Sequence, residues 1–155
     1  MVYRIEGLAP QASAGLVGLE DAALAARGAL RVVADSQRGY PCRITLEDAA
    51  PGETLLLINH VSHDAPTPFR TAYAIYVREG AKAVARFEDE APAYLDRRTL
   101  GLRGFDRHGM LHGALLAMPG EADNRIRLLL DQPDIASIHA HNAAQGCFLA
   151  RIERH

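Results

Sequence analysis

The segment 135–154 constrains the fold more than any other part of the chain, because it alternates, turns and then alternates again. Apolar and polar residues alternate over 135–141, loop-forming residues fill 142–146, and a second alternating run covers 147–154. A period of two is typical of a β-strand, and two such runs joined by a short turn that ends in Gly are typical of a hairpin. The sequence therefore predicts a terminal β-hairpin with a turn of five residues.

This hairpin also carries the densest functional chemistry of the chain. Side chains on a strand point to alternate faces, so His139 and His141 should share one face. On the return strand the same rule places Phe148 and Ala150 on one face and Arg151 on the other. Two imidazoles that point the same way predict a candidate site on the hairpin.

The remaining pattern contains more strands than helices. Apolar residues recur at helical spacing over 19–26 and again after Pro119, which predicts two helices, the second ending before Pro133. One further helical turn is predicted near Tyr94, and 61–69 is predicted to be a loop. Strands are predicted at 2–7, 30–34, 54–60, 71–78, 100–106 and 110–118.

The order of these elements indicates the fold class. Strands and helices do not alternate regularly, which favours an α+β fold over a doubly wound one. We predict a mainly antiparallel β-sheet of about six to eight strands with two helices packed against it. No repeat or linker divides the 155 residues, a length typical of one domain, so residues 1–155 are expected to form a single domain.

Composition excludes some classes of partner. A net charge of -2 gives no electrostatic footprint for nucleic acid, and no partner of that kind is expected. The first residues lack the basic and apolar regions of a signal peptide, and no stretch is long and apolar enough for a membrane span, so we expect a cytoplasmic protein without a membrane partner. In that compartment Cys42 and Cys147 are expected to be thiols. A homo-oligomer is compatible with the sequence.

Several spaced blocks carry a resemblance to a known family. They are Y-P-C-R at 40–43, L-E-D-A at 46–49, P-G-E-T-L-L-L at 51–57, P-F-R at 68–70, A-I-Y-V-R-E at 74–79, and H-A-H-N-A at 139–143 with G-C at 146–147. Together they resemble a bacterial family of unknown function, DUF1203, over residues 28–154. The resemblance implies a single small α+β domain, and it implies no activity.

A metal site is the first candidate for the hairpin. His139 and His141 on one strand face could turn both imidazoles toward one ion, and a third ligand would complete an open site. The spacing is not that of a zinc finger or of an H-E-x-x-H helix, so a hydrogen-bonded histidine in the sheet is the favoured alternative. The third ligand would be Cys42, Cys147, His60 or His63.

Thiol chemistry is the second candidate. Cys42 or Cys147 would be the nucleophile and His139 or His141 the base, because a thiol needs a nearby base or cation to ionise at neutral pH. Asn142 or Asp106 would orient the imidazole. Cysteine also commonly fills apolar space in a core, and that role is the favoured alternative for each thiol.

Anion binding is the third candidate, because guanidinium groups suit carboxylates and phosphates. Exposed arginines paired with neighbouring carboxylates are the alternative. The predicted pocket brings the face of His139 and His141 together with the turn 40–43 and the segment 60–70. The residues of this candidate are Tyr40, Arg43, Arg70, Tyr73, Arg103 and Arg151.

These patterns favour a protein that binds a small anionic ligand through Tyr40, Arg43, Arg70 and Arg151. The alternative is a metal- or thiol-dependent enzyme that uses the His139 and His141 face with Cys42. Neither a glycine-rich nucleotide loop nor a G-x-S-x-G elbow is present, so the sequence identifies no cofactor and no reaction.

Overall fold

The computed structural model describes residues 2–155, and these contain three α-helices and eleven β-strands. The strands are β1 (Tyr3–Glu6), β2 (Leu30–Val33), β3 (Pro41–Cys42), β4 (Glu47–Asp48), β5 (Thr54–His63), β6 (Thr71–Arg78), β7 (Arg86–Glu88), β8 (Leu100–Phe105), β9 (Leu111–Ala117), β10 (Ser137–Asn142) and β11 (Phe148–Arg154). The helices are α1 (Asp21–Ala26), α2 (Ala93–Asp96) and α3 (Ala122–Leu130).

The predicted α+β class with mainly antiparallel pairing is confirmed, and so is the terminal hairpin of β10 and β11. The predicted strand count is too low, since the strands form one sheet of six and another of five. The strands β3, β4 and β7 are two or three residues long, too short to produce a periodic signal. The helical turn expected near Tyr94 is α2.

The strand β5 is longer than predicted. It continues through Val61 and Ser62 to His63, so the prediction of a loop over 61–69 is wrong for its first three residues. His63 at the end of the strand is buried, although Asn59 and Val61, which have the same parity, are exposed. The polar residues of this stretch thus form the end of a strand, which the sequence pattern does not indicate.

The described residues group into two compact units built from separate pieces of sequence. The first unit contains the residues up to Glu6 with 61–72 and 86–155, and the second contains 7–60 and 73–85. Because each unit is assembled from distant segments, no single cut in the chain would separate them. The assignment of residues 1–155 to one domain stays a prediction.

The first unit is built on the six-stranded sheet, in the order β7-β1-β11-β10-β8-β9. One face of this sheet is apolar, with Ile5 paired to Ile152 and Ile152 paired to Ile138 across three strands. All three are fully buried, and α3 lies against β8, β9 and β10 with its Ile126 and Leu129 also fully buried. Full burial of such a side chain stabilises the fold by about 1.5–3 kcal/mol.

The opposite face of the same sheet is polar. His139 on β10 lies in register between Arg103 on β8 and Arg151 on β11. The row continues to Glu6 on β1, which pairs with Arg151, and to Arg86 on β7. A line of charged and imidazole side chains thus crosses five strands.

The second unit has its own apolar core beneath the five-stranded sheet, whose order is β2-β5-β6-β3-β4. Leu24 of α1 packs in one buried cluster with Ile44, Leu56 and Ile75. Each of the four side chains is fully buried. Across the described chain, none of the helices has both the length and the apolar character to span a membrane.

Candidate functional site

Three histidines come together in the first unit. His139 and His141 lie on β10, and His63 lies at the end of β5. Ring centroids are 5.1 Å apart for His63 and His139, and 6.5 Å apart for His139 and His141. The exposed fractions are 8%, 1% and 2% for His63, His139 and His141, so the cluster is almost closed to solvent.

A β-bulge shapes this cluster. The pairing of β10 with β8 is regular and keeps His139 and His141 on one face, as the alternation predicts. The pairing of β10 with β11 shifts between Ala140 and His141, so that His141 faces Phe148 while Ala140 faces Ala150. The prediction that Phe148 and Ala150 share a face is therefore wrong, because an extra residue in one strand reverses the alternation beyond it.

Two phenylalanines enclose the imidazoles. The ring of Phe105 stacks on His63 at 4.1 Å between centroids and lies 5.0 Å from His139. The ring of Phe148 lies 5.5 Å from His139 and 6.0 Å from His141. Apolar walls remove water from the nitrogens, and this favours uncharged imidazoles.

The electrostatics of the cluster follow from this enclosure. Burial, the positive charge of Arg151 and the neighbouring His63 together lower the pKa of His139 to about 3, and burial is the largest of these causes. Burial also lowers the pKa of His141 to about 4, against the hydrogen bond to Gly146, which raises it. His139 and His141 are therefore neutral at neutral pH.

Hydrogen bonds fix two of the three rings. His63 Nε2 donates to the carbonyl oxygen of Gly109 at 2.9 Å, and His141 Nδ1 donates to the carbonyl oxygen of Gly146 at 3.0 Å. A carbonyl oxygen can only accept, so the proton of each bond belongs to the ring. His139 differs, since its Nε2 is buried and has no hydrogen-bond partner among residues 2–155.

Such an atom is uncommon in a folded protein. A buried polar group without a partner costs about 1–3 kcal/mol, and it calls for an explanation by strain, function or a bound molecule. His139 Nε2 lies on the polar face, and Arg103 and Arg151 flank its residue in register. Burial is the main cause of the lowered pKa of His139, and the positive charges of Arg151 and Arg103 contribute to it.

The described residues do not supply the set of ligands that a metal site requires. Within the described range 2–155, no three His, Cys, Asp or Glu side chains are placed to hold one metal ion. The planes of the His63 and His139 rings meet at 83°, edge to face. Metal ligation by His139 and His141 stays a prediction from the sequence.

Other predicted residues lie in the second unit, where each has a local role. Cys42 is fully buried, and its Sγ accepts a hydrogen bond from the backbone N–H of Arg78 at 3.2 Å. Arg43 is also buried, and its guanidinium donates to the carbonyl oxygen of Pro41 at 2.7 Å. The hydroxyl of Tyr40 donates to the carboxylate of Asp35 at 2.8 Å.

These contacts support the fold of the second unit, and Cys42 has the character of a buried core thiol. The histidine cluster belongs to the first unit. The joint pocket of the turn 40–43 with His139 and His141 stays a prediction.

Arg70 and Asn142 lie in the first unit with local partners of their own. Arg70 is exposed and forms an ion pair with Asp64 at 2.8 Å. Asn142 Oδ1 accepts a hydrogen bond from the backbone N–H of Ala144 at 3.2 Å, so it stabilises the turn of the terminal hairpin. Cys147, at the end of that turn, is a half-buried thiol.

A second polar feature surrounds the turn between β8 and β9. Asp106 Oδ1 accepts hydrogen bonds from the backbone N–H groups of His108 and Met110, and Oδ2 accepts one from His112 Nε2 at 3.0 Å. The bonds from Met110 and His108 hold the pKa of Asp106 below its usual range. The pair lies at a cleft of about 420 Å³ that Asp134 also lines. Since the carboxylate fixes the turn, a structural role accounts for the pair.

Sequence reasoning missed the contributions of Phe105 and Phe148 to the site. The face of Phe148 depends on the bulge, which leaves no trace in the alternation. Phe105 lies at the site because it pairs with Ser137, which is two residues before His139 and on the same face. For His63 the pattern gave no periodic signal, because no regular alternation of β5 continues to this residue.

The fold and the site define an α+β protein with a buried imidazole cluster beside two arginines. A family model described as Protein of unknown function (DUF1203) matches residues 39–154, and the chain belongs to that family. The resemblance that the sequence blocks indicate is thereby confirmed. Searches of curated proteins and of solved structures give no match.

Proposed function

We propose that this protein binds a small anionic ligand, a carboxylate or a phosphate, on the polar face of the six-stranded sheet. The observation that carries the proposal is the buried His139 Nε2, which has no hydrogen-bond partner among the described residues. Arg103 and Arg151 lie opposite His139 on the two neighbouring strands. An anion there would supply the missing acceptor and would meet positive charge on both sides.

The field at His139 supports a negative ligand over a neutral one. The arginines lower the pKa of this imidazole because they repel a proton on it, and the same field attracts an anion. Arg151 itself can be reached from solvent, since its side chain is 54% exposed and carries an ion pair with Glu153 at the surface. Exchange of that carboxylate for a ligand oxygen would leave Arg151 paired.

Binding is favoured over the enzyme alternative by the basicity of the imidazoles. A general base works best when its pKa lies near the operating pH. The pKa values of His139 and His141, about 3 and about 4, make both rings weak bases at neutral pH. Neutral rings are suited to donate hydrogen bonds to a ligand, and this requires no proton transfer.

The test is a titration with inorganic phosphate and, separately, with acetate, followed by NMR of the histidine ring nitrogens. We expect a saturable change at His139, and a charge-assisted bond of about 1.5–3 kcal/mol predicts at least about tenfold weaker binding in Arg151→Gln. Arg86→Gln is the matched control, because Arg86 is also 54% exposed and ends the same row at the far edge of the sheet.

Two results would contradict the proposal. The first is that neither anion changes the His139 resonances. The second is that Arg151→Gln and Arg86→Gln weaken binding equally. Equal weakening would indicate a general effect of surface charge. The difference between the two variants isolates the contribution of the position beside His139.

A further inference from the structure

The polar face of the six-stranded sheet is charged on one side of His139 and apolar on the other. Toward β1 and β7, Glu6 forms an ion pair with Arg86 at 2.7 Å, and Arg4 forms one with Glu153 at 3.8 Å. A ligand that extended in this direction would have to displace these ion pairs. The apolar body of a ligand is therefore not expected there.

The side of β8 and β9 presents small and apolar residues. Antiparallel pairing places Ala114 opposite Arg103, and it places Leu116 opposite Gly101. Residues that are directly opposite each other share a face, and Arg103 is also opposite His139, so all of them lie on the polar face. Ala114 and Leu116 are exposed, and the exposed fraction of Leu116 is 57%. Exposed apolar surface thus lies within two strands of His139.

A trough crosses β8 at Gly101, and we name it the Gly101 trough after this residue. A Cβ at Gly101 would meet no atom of residues 2–155 within 4 Å, so open space lies over the strand at this point. The trough leads from His141 on β10 to Leu116 on β9, because both residues pair with Gly101. Since neighbouring strands lie about 4.8 Å apart, its span from β10 to β9 is about 10 Å.

Arg103 connects the Gly101 trough with the imidazoles. Burial is the main cause of the lowered pKa of His139 and of His141, and the positive charge of Arg103 also lowers both pKa values. A charge that acts on both rings lies near both, so the guanidinium group of Arg103 lies beside the inner end of the trough. A carboxylate bound at this point would contact Arg103 and His139 together.

We propose that the ligand of the polar face is an amphipathic anion, a carboxylate whose apolar chain lies in the Gly101 trough. This inference rests on the proposed function, and it adds the chemistry and the direction of the rest of the ligand. The carboxylate lies between Arg103 and His139, and the chain covers Ala114 and Leu116. A span of about 10 Å suits a chain of about eight carbon atoms. The chain gains contact with apolar surface that a bare anion cannot reach.

The test compares acetate with octanoate in titrations of the full chain, followed by NMR of the histidine rings and the leucine methyl groups. Both anions should change the His139 resonances, and only octanoate should change those of the Leu116 methyl groups. Full burial of one CH₂ group corresponds to about fourfold in affinity, so octanoate with a partly buried chain should bind at least about tenfold tighter than acetate. The methyl groups of Leu128, which is 49% exposed on α3, should not respond.

Substitutions in the trough test the apolar chain separately from the carboxylate. The measured quantity is the ratio of the acetate and octanoate dissociation constants, because a change at the anion site alone affects both ligands alike. Leu116→Asn removes apolar surface and Gly101→Leu fills the trough, so each should lower this ratio at least about threefold. Leu128→Asn is the matched control on α3, outside the polar face, and it should leave the ratio unchanged. Circular dichroism establishes that each variant is folded.

Two results would overturn this inference and leave the proposed function in place. The first is that acetate and octanoate both change the His139 resonances, but octanoate binds no tighter than acetate. The second is that Leu116→Asn and Leu128→Asn have the same effect on the ratio. A different result, in which none of acetate, phosphate and octanoate changes the His139 resonances, would overturn the proposed function and this inference together.

Discussion

The two faces of the six-stranded sheet are made by the same strands and differ in almost every physical property. On one face Ile5, Ile138 and Ile152 lie in a fully buried row under α3. On the other face Arg103, His139 and Arg151 lie in a parallel row. Neighbouring residues of β10 thus belong to different environments.

The comparison teaches that burial alone does not indicate a role in stability. Ile138 is fully buried and His139 is 1% exposed, so the two are almost equally removed from water. Burial of Ile138 stabilises the fold because its side chain is apolar. Burial of His139 costs free energy, because its Nε2 has no partner among residues 2–155 and its charged form is excluded.

The largest expected effect lies on the apolar face. Ile138→Ala should lower the free energy of unfolding by about 2–5 kcal/mol, since it removes buried methyl groups and leaves a cavity. The measurement is urea denaturation followed by circular dichroism. A loss below about 1 kcal/mol would mean that this face is not the main apolar core of the first unit.

The second prediction concerns Gly109, whose carbonyl oxygen accepts the hydrogen bond that fixes His63. Gly109 has a φ of +83°, and a Cβ there would lie 2.3 Å from Ala65 Cβ and 3.3 Å from His63 Nε2. Gly109→Ala therefore combines left-handed backbone strain with overpacking, and we expect a loss of about 2–4 kcal/mol in denaturation measurements. NMR should show an altered environment of His63.

Gly101→Ala is the control for this prediction. Gly101 lies on β8 of the same sheet, and a Cβ there meets no atom within 4 Å. The substitution should change the free energy of unfolding by less than about 1 kcal/mol. Similar losses in the two variants would show that the close approach at Gly109 has no special role.

The sequence is sufficient to predict that His139 and His141 share one face of the strand, because the period of two depends only on neighbours along the chain. It was not sufficient for Phe148, whose face is reversed by the bulge at Ala140 and His141. A bulge is set by the fit of two strands to each other and to the sheet, and no local pattern encodes it.

Contacts between distant segments of the chain are the second kind of feature that the sequence could not predict. His63 contacts His139 across 76 positions of sequence, and both lie in a unit that combines three separate segments. The sequence identified His63 as a ligand candidate without giving its position, because contacts between distant segments depend on the whole topology. The predicted residues Tyr40, Arg43 and Cys42 have local partners in the second unit that periodicity cannot reveal.

A third effect concerns pH. Histidines in the unfolded chain take up protons below the ordinary pKa of 6.5, whereas His139 and His141 stay neutral until about 3 and about 4. The unfolded state then binds more protons, so stability present above pH 6.5 is lost as the pH falls. We expect a decrease of up to about 1.4 kcal/mol per pH unit for each of these two histidines.

The measurement is a series of urea denaturations between about pH 6 and pH 5, above the range in which most carboxylates titrate. His60, whose pKa is also lowered by burial, adds to the slope from the second unit. His139→Leu should therefore reduce the slope without removing it. A flat stability profile over this range would contradict the assignment of His139 and His141 as neutral buried rings.

The smallest effect has the opposite sign from the first. His139→Leu replaces a buried ring that has an unpartnered nitrogen with an apolar side chain of similar size, so the free energy of unfolding at neutral pH should rise by about 1 kcal/mol. The gain should increase as the pH falls, because the variant no longer excludes a proton at this position. Denaturation at two pH values measures both changes.

His112→Leu is the matched control, because this half-exposed histidine donates to Asp106 at 3.0 Å and its removal should slightly destabilise the turn. A loss of stability in His139→Leu comparable to that in Ile138→Ala would contradict the comparison of the two faces. It would mean that His139 Nε2 has a partner in solution, such as an ordered water. A gain accompanied by the loss of phosphate binding would instead show that the polar face retains an unfavourable buried imidazole because the ligand needs it.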